Sequence, residues 1–196
     1  MGKNKLLNTK NLAVLGMLVA VSVVLSRFCV VYITTSIRIN FGNIPIFLAG
    51  IFFGPIAGGL TGAVSDIIGS CFLSPLGYYP PLTVGPVIIG VIAGILRRFV
   101  AVPENDDKSP AKSGMKFQAL QYLRACTVTL TANVVASMTW TTLCLHRLYG
   151  TPVMALLTVR VPLYIAISLL EALAICAVLA SGYFNSMIYR KEVKHS

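Results

Sequence analysis

Long apolar segments with almost no charged residues make up most of this chain, and they restrict the solvent in which it can fold. The stretch from Leu12 to Leu25 contains no charged residue, and an apolar helix of about 20 residues spans the hydrocarbon core of a bilayer. The whole chain is 56% hydrophobic and only 11% charged, whereas soluble domains are roughly 45–50% apolar and 25% charged. The sequence therefore predicts an all-α membrane protein.

Six transmembrane helices in a single domain are predicted over residues 1–196. The predicted helices cover 11–31, 43–53, a segment that ends at about Leu73, 82–98, 117–145 and 154–188. Merging residues 43–73 into one span would leave five helices. The sequence FGPIAGG, with Gly54, Pro55, Gly58 and Gly59, instead favours a hairpin turn at that point. A polar segment at about 99–116 is predicted to be a cytoplasmic loop.

The distribution of basic residues predicts the orientation of the bundle. Eleven of the sixteen Lys and Arg residues lie at the two termini or around the polar loop. Cytoplasmic loops are enriched in these residues, so both termini are predicted to be cytoplasmic in the cell membrane, with the loops at 32–42, 74–81 and 146–153 facing outward. The net charge of +10 does not indicate a nucleic-acid partner, because no basic run is interleaved with aromatic residues.

Motifs typical of enzymes and of metal sites are missing from the sequence. It contains no GxxxxGK[ST], HExxH or GxSxG run, so neither catalytic residues nor ATP binding by this chain is predicted. The five cysteines are scattered singly through apolar segments without a CxxC pair, which is typical of reduced packing residues. No metal and no cofactor are therefore predicted.

Arginines on the outward side are an unusual feature of the predicted bundle. Arg27, Arg38, Arg147 and Arg160 fall in predicted outer loops or outer helix halves, where the positive-inside rule disfavours them. An anionic ligand that enters from outside would use this excess of positive charge. Arg27 and Arg147 have an alternative interpretation, since a long side chain at a helix end can reach lipid headgroups.

Two predicted helices have polar faces in otherwise apolar sequence. Arg160, Tyr164, Ser168 and Glu171 follow one another at i, i+4, i+8 and i+11, which places them on one helix face that is expected to point into the bundle. Asn133, Ser137 and Thr141 form a similar stripe with Trp140 beside it. Ser and Thr side chains are common hydrogen-bonding contacts between membrane helices. Asn133 and Trp140 are left open between packing and ligand contact.

Asp66 is the charged residue of the third predicted helix. It shares a helix face with Gly58 and Gly62, whose small size lets a neighbouring backbone or a flat ligand come close. An ion pair with Arg27 or Arg160 would neutralise its charge. Alternatively, its carboxylate accepts adjacent N–H groups of a ligand.

These features coincide with a known pattern. The block IRINFGNIPIFLAGIFFGPIAGGLTGAVSDIIG, followed by YYPPLTVGPVIIGVIAGIL, resembles the substrate-binding S components of energy-coupling factor (ECF) vitamin transporters, most closely the folate-specific group. The resemblance covers Arg38 to Leu96 and extends to the size and helix number of the chain. It implies a membrane subunit, not an enzyme, that captures its vitamin from outside with very high affinity. The expected partners are the lipid bilayer and an energising ECF module of two ATPases and a transmembrane coupling protein.

The resemblance and the residue chemistry together give a predicted site for folate, with arginines for its two carboxylates, a carboxylate for its pterin and aromatic residues for stacking. The loop at 32–42 is predicted to act as a lid, and Gly16 and Ala20 are predicted to meet the coupling protein. The predicted substrate-binding residues are Arg27, Arg38, Asp66, Tyr79, Asn133, Trp140, Arg160 and Tyr164.

The chain departs from the folate-specific pattern at two places. Pro80-Pro81-Leu82-Thr83 stands where Pro-Gly-Phe-Thr is expected, so one loop aromatic is lost. Gly16 replaces the first residue of an Ala-x-x-x-Ala pattern, which keeps that surface small. Two alternatives therefore remain: an S component for riboflavin or another anionic or aromatic vitamin, and a structural membrane subunit without a ligand.

Overall fold

The structure, a computed structural model, describes residues 9–28, 31–34, 37–39, 41–73, 79–100, 115–150 and 153–180. A π-helical segment, Val134–Thr141, joins α6 directly to α7. The helices are α1 (Thr9–Phe28), α2 (Asn43–Phe53), α3 (Pro55–Leu73), α4 (Pro80–Ile95), α5 (Arg97–Val100), α6 (Met115–Asn133), α7 (Thr142–Tyr149) and α8 (Val153–Ala180).

The helical character and the helix number predicted from the sequence are confirmed for the part of the chain that the structure describes. The predicted six helices correspond to α1, α2, α3, α4, the continuous α6 to α7 rod, and α8. In the described residues, three stretches are long and apolar enough to cross a membrane, namely Thr9–Phe28, Leu120–Arg147 and Arg160–Leu179. By contrast, α2 and α4 are shorter apolar helices. The cytoplasmic orientation of the termini stays a prediction, and residues 101–114 and 181–196 lie outside the described residues.

A small β-hairpin precedes α2, where the sequence predicted only a loop at 32–42. Its strands are β1 (Val31–Thr34) and β2 (Ile37–Ile39), which pair antiparallel with Tyr32 opposite Arg38. Just beyond the hairpin, Ser22 Oγ of α1 donates a hydrogen bond of 2.8 Å to the carbonyl oxygen of Gly42. This contact ties the start of α2 to α1, while the predicted role of the segment as a lid stays a prediction.

The break between α2 and α3 is a single residue, Gly54. Its φ of 100° lies in a region that residues with a Cβ rarely adopt, and Pro55 begins α3 at the first helical position, where a missing N–H costs nothing. Residues 43–73 are therefore two helices and not one long span. The prediction that Gly58 and Gly59 belong to the turn is wrong, because both lie inside α3, where they face α4 instead.

The two backbones of α3 and α4 cross in direct contact. A Cβ atom at Gly58 would collide with the backbone of Gly90, and one at Gly62 would collide with the backbone of Pro86. A Cβ at Gly50 of α2 would lie 2.7 Å from the carbonyl oxygen of the same Gly90. Small residues are what allow such close approach between membrane helices, and Gly90 is the point at which α2, α3 and α4 meet.

The hydrophobic core lies around α2, which is buried along most of its length from Asn43 to Ile51. A short helix that is apolar on all sides is typical of the interior of a bundle. Its core residues pack against partners from α4, α6 and α8, whereas α1 contributes little to the core and exposes a broad apolar surface. The core cluster includes Ile46, Phe47, Ile89, Ala93, Val128, Ala132 and Ile175.

Replacing Gly90 with alanine is expected to destabilise the fold. The new methyl group would collide with the backbone of Gly58, which cannot move aside as a flexible side chain can. Overpacking of this kind costs about 1–3 kcal/mol, so Gly90→Ala should lower the melting temperature of the purified protein. Gly16→Ala is the matched control, because a Cβ there meets nothing within 4 Å; equal melting temperatures for the two variants would contradict the proposed close packing.

Candidate ligand-binding site

The first turn of α4 connects three parts of the bundle. Thr83 Oγ1 donates a hydrogen bond of 2.8 Å to Asp66 Oδ2 on α3. Trp140 Nε1, from the π-helical segment, donates to the carbonyl oxygen of Pro81 over 2.8 Å. Since Tyr79 immediately precedes α4 and is half-buried, three of the predicted site residues, Tyr79, Asp66 and Trp140, are brought to this one end of α4.

The local sequence explains why this end of α4 is available for contacts. Pro80 and Pro81 occupy the first helical turn, where the missing N–H groups have no intrahelical partner. Gly85, one turn further, is buried, and a Cβ there would lie 3.2 Å from Thr141 Oγ1. The absence of a side chain at Gly85 thus lets the π-helical segment lie against α4, with Trp140 next to Pro81.

The π-helical segment changes which carbonyl groups are available to side chains. Thr141 Oγ1 donates to the carbonyl oxygen of Ala136 at 3.1 Å, and Thr142 Oγ1 donates to that of Ser137 at 3.3 Å. Both bonds reach back five residues, in the wider spacing of a π-helix. Single π-helical turns inside α-helices are frequent at functional sites, and here the segment carries Trp140.

Arg160 of α8 is anchored on the same segment. Its side chain is only 4% exposed, and its Nη1 donates to Thr142 Oγ1 at 3.2 Å and to the carbonyl oxygen of Ser137 at 3.5 Å. A cation inside a membrane protein is costly unless it faces a partner or a cavity. The hydroxyl group of Thr142 and the carbonyl oxygen of Ser137 are such partners. Arg160 thus approaches the π-helical segment from α8, whereas Trp140 of the same segment contacts α4.

Arg27 contacts α3 about one helical turn beyond Asp66. Its Nη2 donates to Ser70 Oγ at 3.1 Å, and a Cβ at the adjacent Gly69 would lie 2.8 Å from its Nε. The guanidinium group thus rests on the surface of α3 where glycine leaves room for it. Of the two predicted partners of Asp66, Arg27 contacts Ser70 and Arg160 contacts Thr142, while Asp66 itself accepts from Thr83.

Three further predicted residues occupy different positions. The backbone of Arg38 pairs with Tyr32 in the hairpin, and the side chain of Arg38 lies outside the described residues. Tyr164 is half-buried one turn after Arg160, and its carbonyl oxygen accepts from Ser168 Oγ at 2.7 Å. Asn133 is 1% exposed and enclosed between α6 and α8, where its side chain contacts Glu171 and Ser168.

Several residues at this site carried no signal in the sequence. Thr83, Ser70 and Thr142 hold Asp66, Arg27 and Arg160 respectively, yet isolated hydroxyl residues in apolar helices are common and read as packing contacts. The partner of each charged side chain depends on how neighbouring helices are registered. The available signal in the sequence for these contacts was a lone Ser or Thr on a helix next to the one that carries the charged residue.

The residues predicted to meet a coupling protein, Gly16 and Ala20, are both exposed on α1. A Cβ at Gly16 would meet nothing within 4 Å. The buried residues of α1, Ser22 and Val23, lie further along the helix, and α1 packs on α2 and α3. The small residues thus form an open surface on the outside of the bundle.

Comparisons with known proteins identify the family. Residues 6–183 match the family model described as ECF-type riboflavin transporter, S component. Because this match spans most of the chain, the protein belongs to that S-component family, and the predicted membership is confirmed. The family consists of membrane transport subunits rather than enzymes.

Two individual proteins are similar to the chain. The curated folate transporter FolT of Clostridium novyi (strain NT) is 33% identical over 81 residues, which is 41% of this chain and 46% of that protein. The matched part is thus about half the length of that relative. A crystal structure of FolT bound with folic acid superimposes with a TM-score of 0.69 and 28% identity, over 90% of this chain and 95% of the other.

Proposed function

We propose that the protein is the folate-binding S component of an ECF transporter in a bacterial plasma membrane. It captures folate from outside and delivers it for ATP-driven uptake by a separate module of two ATPases and a transmembrane coupling protein. The observation that carries this proposal is the similarity to FolT bound with folic acid over 90% of the chain. The chemistry of the candidate site supports the same ligand.

Asp66 suits the pterin end of folate. Its Oδ2 is occupied by Thr83, but an ionised carboxylate accepts up to about four hydrogen bonds, so the group retains capacity for the adjacent N–H donors of a pterin. The side chain is only half-buried, which leaves it accessible. Tyr79 and Trp140, at the same end of α4, provide aromatic faces against which a flat ring system can stack.

The arginines suit the glutamate end of folate, which carries two carboxylates. Guanidinium groups form paired, charge-assisted hydrogen bonds with carboxylates. Arg160 is already oriented by Thr142, and Tyr164 lies one turn away on the same helix. Arg27 and Arg38 complete the proposed set of cations, with Arg27 at the end of α1 and Arg38 in the hairpin.

Riboflavin is the second candidate ligand, because the matching family model is described as a riboflavin S component. Its ring system is flat but carries no carboxylate, so it gives the outward arginines no anionic partner. Folate accounts for both the carboxylate and the cations of the site.

Direct titration distinguishes these three functions. The chain contains one tryptophan, so intrinsic tryptophan fluorescence reports on Trp140 alone. Adding folate to ligand-free protein is expected to quench this fluorescence saturably at one equivalent, with matching heat in calorimetry, while riboflavin leaves both unchanged. Tighter binding of riboflavin would replace the folate proposal, and no binding of either ligand would favour a structural subunit.

Replacing Asp66 with asparagine should weaken folate binding by roughly 10- to 100-fold, because a charge-assisted hydrogen bond to the pterin becomes a neutral one. Calorimetric titration measures the change. Thr83→Val is the matched control: it keeps the carboxylate and removes only the hydroxyl that orients it, so its loss should stay below about 10-fold. An Asp66→Asn variant that binds folate like the wild type would exclude Asp66 from the pterin site.

Replacing Gly16 with leucine should abolish folate uptake but leave folate binding intact. The bulky side chain would project from the open surface of α1 and keep the coupling protein from approaching. Uptake is measured in vesicles that contain the ATPases and the coupling protein, and binding is measured on the isolated subunit. Val21→Leu enlarges an exposed residue on another side of α1 and should leave both intact; equal loss of uptake and binding in Gly16→Leu would point to a packing role.

A further inference from the structure

Glu171 and Asn133 form a polar pair that is sealed between α6 and α8. They are 0% and 1% exposed, respectively. Asn133 Nδ2 donates to Glu171 Oε2 at 2.7 Å and to Ser168 Oγ at 3.0 Å. The other two oxygens, Glu171 Oε1 and Asn133 Oδ1, are buried and have no hydrogen-bond donor among the described residues. Two orphaned acceptors therefore flank one short hydrogen bond.

The neighbouring hydroxyl groups are already committed to other acceptors. Each hydroxyl has a single proton to donate. Ser168 Oγ donates to the carbonyl oxygen of Tyr164 at 2.7 Å. Thr129 Oγ1 lies 3.1 Å from the carbonyl oxygen of Ser168 and 3.2 Å from that of Ala125. Neither hydroxyl supplies the donor that the two oxygens lack.

The described surroundings of the carboxyl group give it neutral partners. The side-chain amide of Asn43 on α2 also lies near the carboxyl group, but its geometry does not satisfy Glu171 Oε1, which has no hydrogen-bond partner among the described residues. The helices α2 and α4 contain no charged or titratable residue. Tyr122 donates its hydroxyl to the carbonyl oxygen of Leu169, and Arg160 lies eleven residues along α8, about 16 Å of helix. The remaining charged or titratable residues of α6 and α8 are Lys116, Arg124, Cys126, Tyr164 and Cys176.

We propose that Glu171 is a buried proton site, held as a carboxylic acid whose Oε1–H donates to Asn133 Oδ1. One proton then satisfies both orphaned oxygens and removes the charge of a carboxylate from the interior of a membrane protein, where an ionised group is costly. The two side chains become a neutral pair with two hydrogen bonds that joins α6 to α8. This role is independent of the ligand proposed above.

A proton fits the site better than a metal ion or a water molecule. Metal ions that prefer oxygen take about six or more ligands, whereas only two oxygens of this pair are unoccupied in the described part of the chain. A water molecule can donate to both oxygens, but it leaves the carboxylate charged. The acid form satisfies hydrogen bonding and charge together.

Infrared spectroscopy of the purified protein tests the proposal at neutral pH. A carbonyl band of a protonated carboxyl group is expected, which shifts in heavy water, disappears in Glu171→Gln and persists in Asp66→Asn. Isotopic labelling of glutamate in the wild type should shift the same band, which identifies it even if a variant fails to fold. The other glutamates, Glu104 and Glu192, lie in the polar loop and the C-terminal tail of the sequence.

Melting temperatures give an independent readout. The amide of Gln presents an N–H where the acid presents its O–H, so Glu171→Gln should change the melting temperature by less than about 2 °C. Asn133→Leu removes both polar groups and should lower it by more than about 4 °C. The proposal is overturned if no acid band depends on Glu171. It is equally overturned if sodium, but not potassium, raises the melting temperature of the wild type and not that of Glu171→Gln.

Discussion

The contact between the backbones of α3 and α4 is the constraint on which the rest of the structure depends. In a bilayer, helices gain little from the hydrophobic effect when they associate, so close packing and hydrogen bonds must hold them together. Gly58 and Gly62 on one helix, and Gly90 on the other, permit the two backbones to come into direct contact. The crossing fixes the register of the two helices, and that register brings Thr83 to Asp66.

Features that depend on local chemistry were predictable from the sequence. The number of helices follows from apolar segment length, and the division between α2 and α3 follows from Gly54 and Pro55, whose backbone preferences act at their own positions. Gly58 and Gly59 were misassigned to that turn because a glycine used for packing looks the same in sequence as a glycine used for bending. Only the position of α4 distinguishes the two uses.

Features that depend on how distant segments are registered were not predictable. The sequence predicted that Arg160, Ser168 and Glu171 share one helix face. All three lie on α8, but they contact different segments of the bundle. Arg160 contacts Thr142 beyond the π-helical segment, whereas Ser168 and Glu171 contact Asn133 on α6. No sequence periodicity predicts the π-helical segment itself. Its wider helical spacing changes which residues of the helix face α8 and which face α4.

Two roles are proposed for α1, namely contact with the coupling protein at Gly16 and contact with the ligand at Arg27. Gly16 and Arg27 are separated by eleven residues, which corresponds to about 16 Å along the helix. Gly16 lies on an open surface, while Arg27 reaches across to Ser70 at the far end of α3. Because depth rather than helix face separates the two residues, a coupling protein could bind around Gly16 without displacing Arg27. The α1–α3 contact at Ser70 and Gly69, one turn from Asp66, is then one route by which docking affects the ligand, beside the contact of Ser22 with Gly42 at the start of α2.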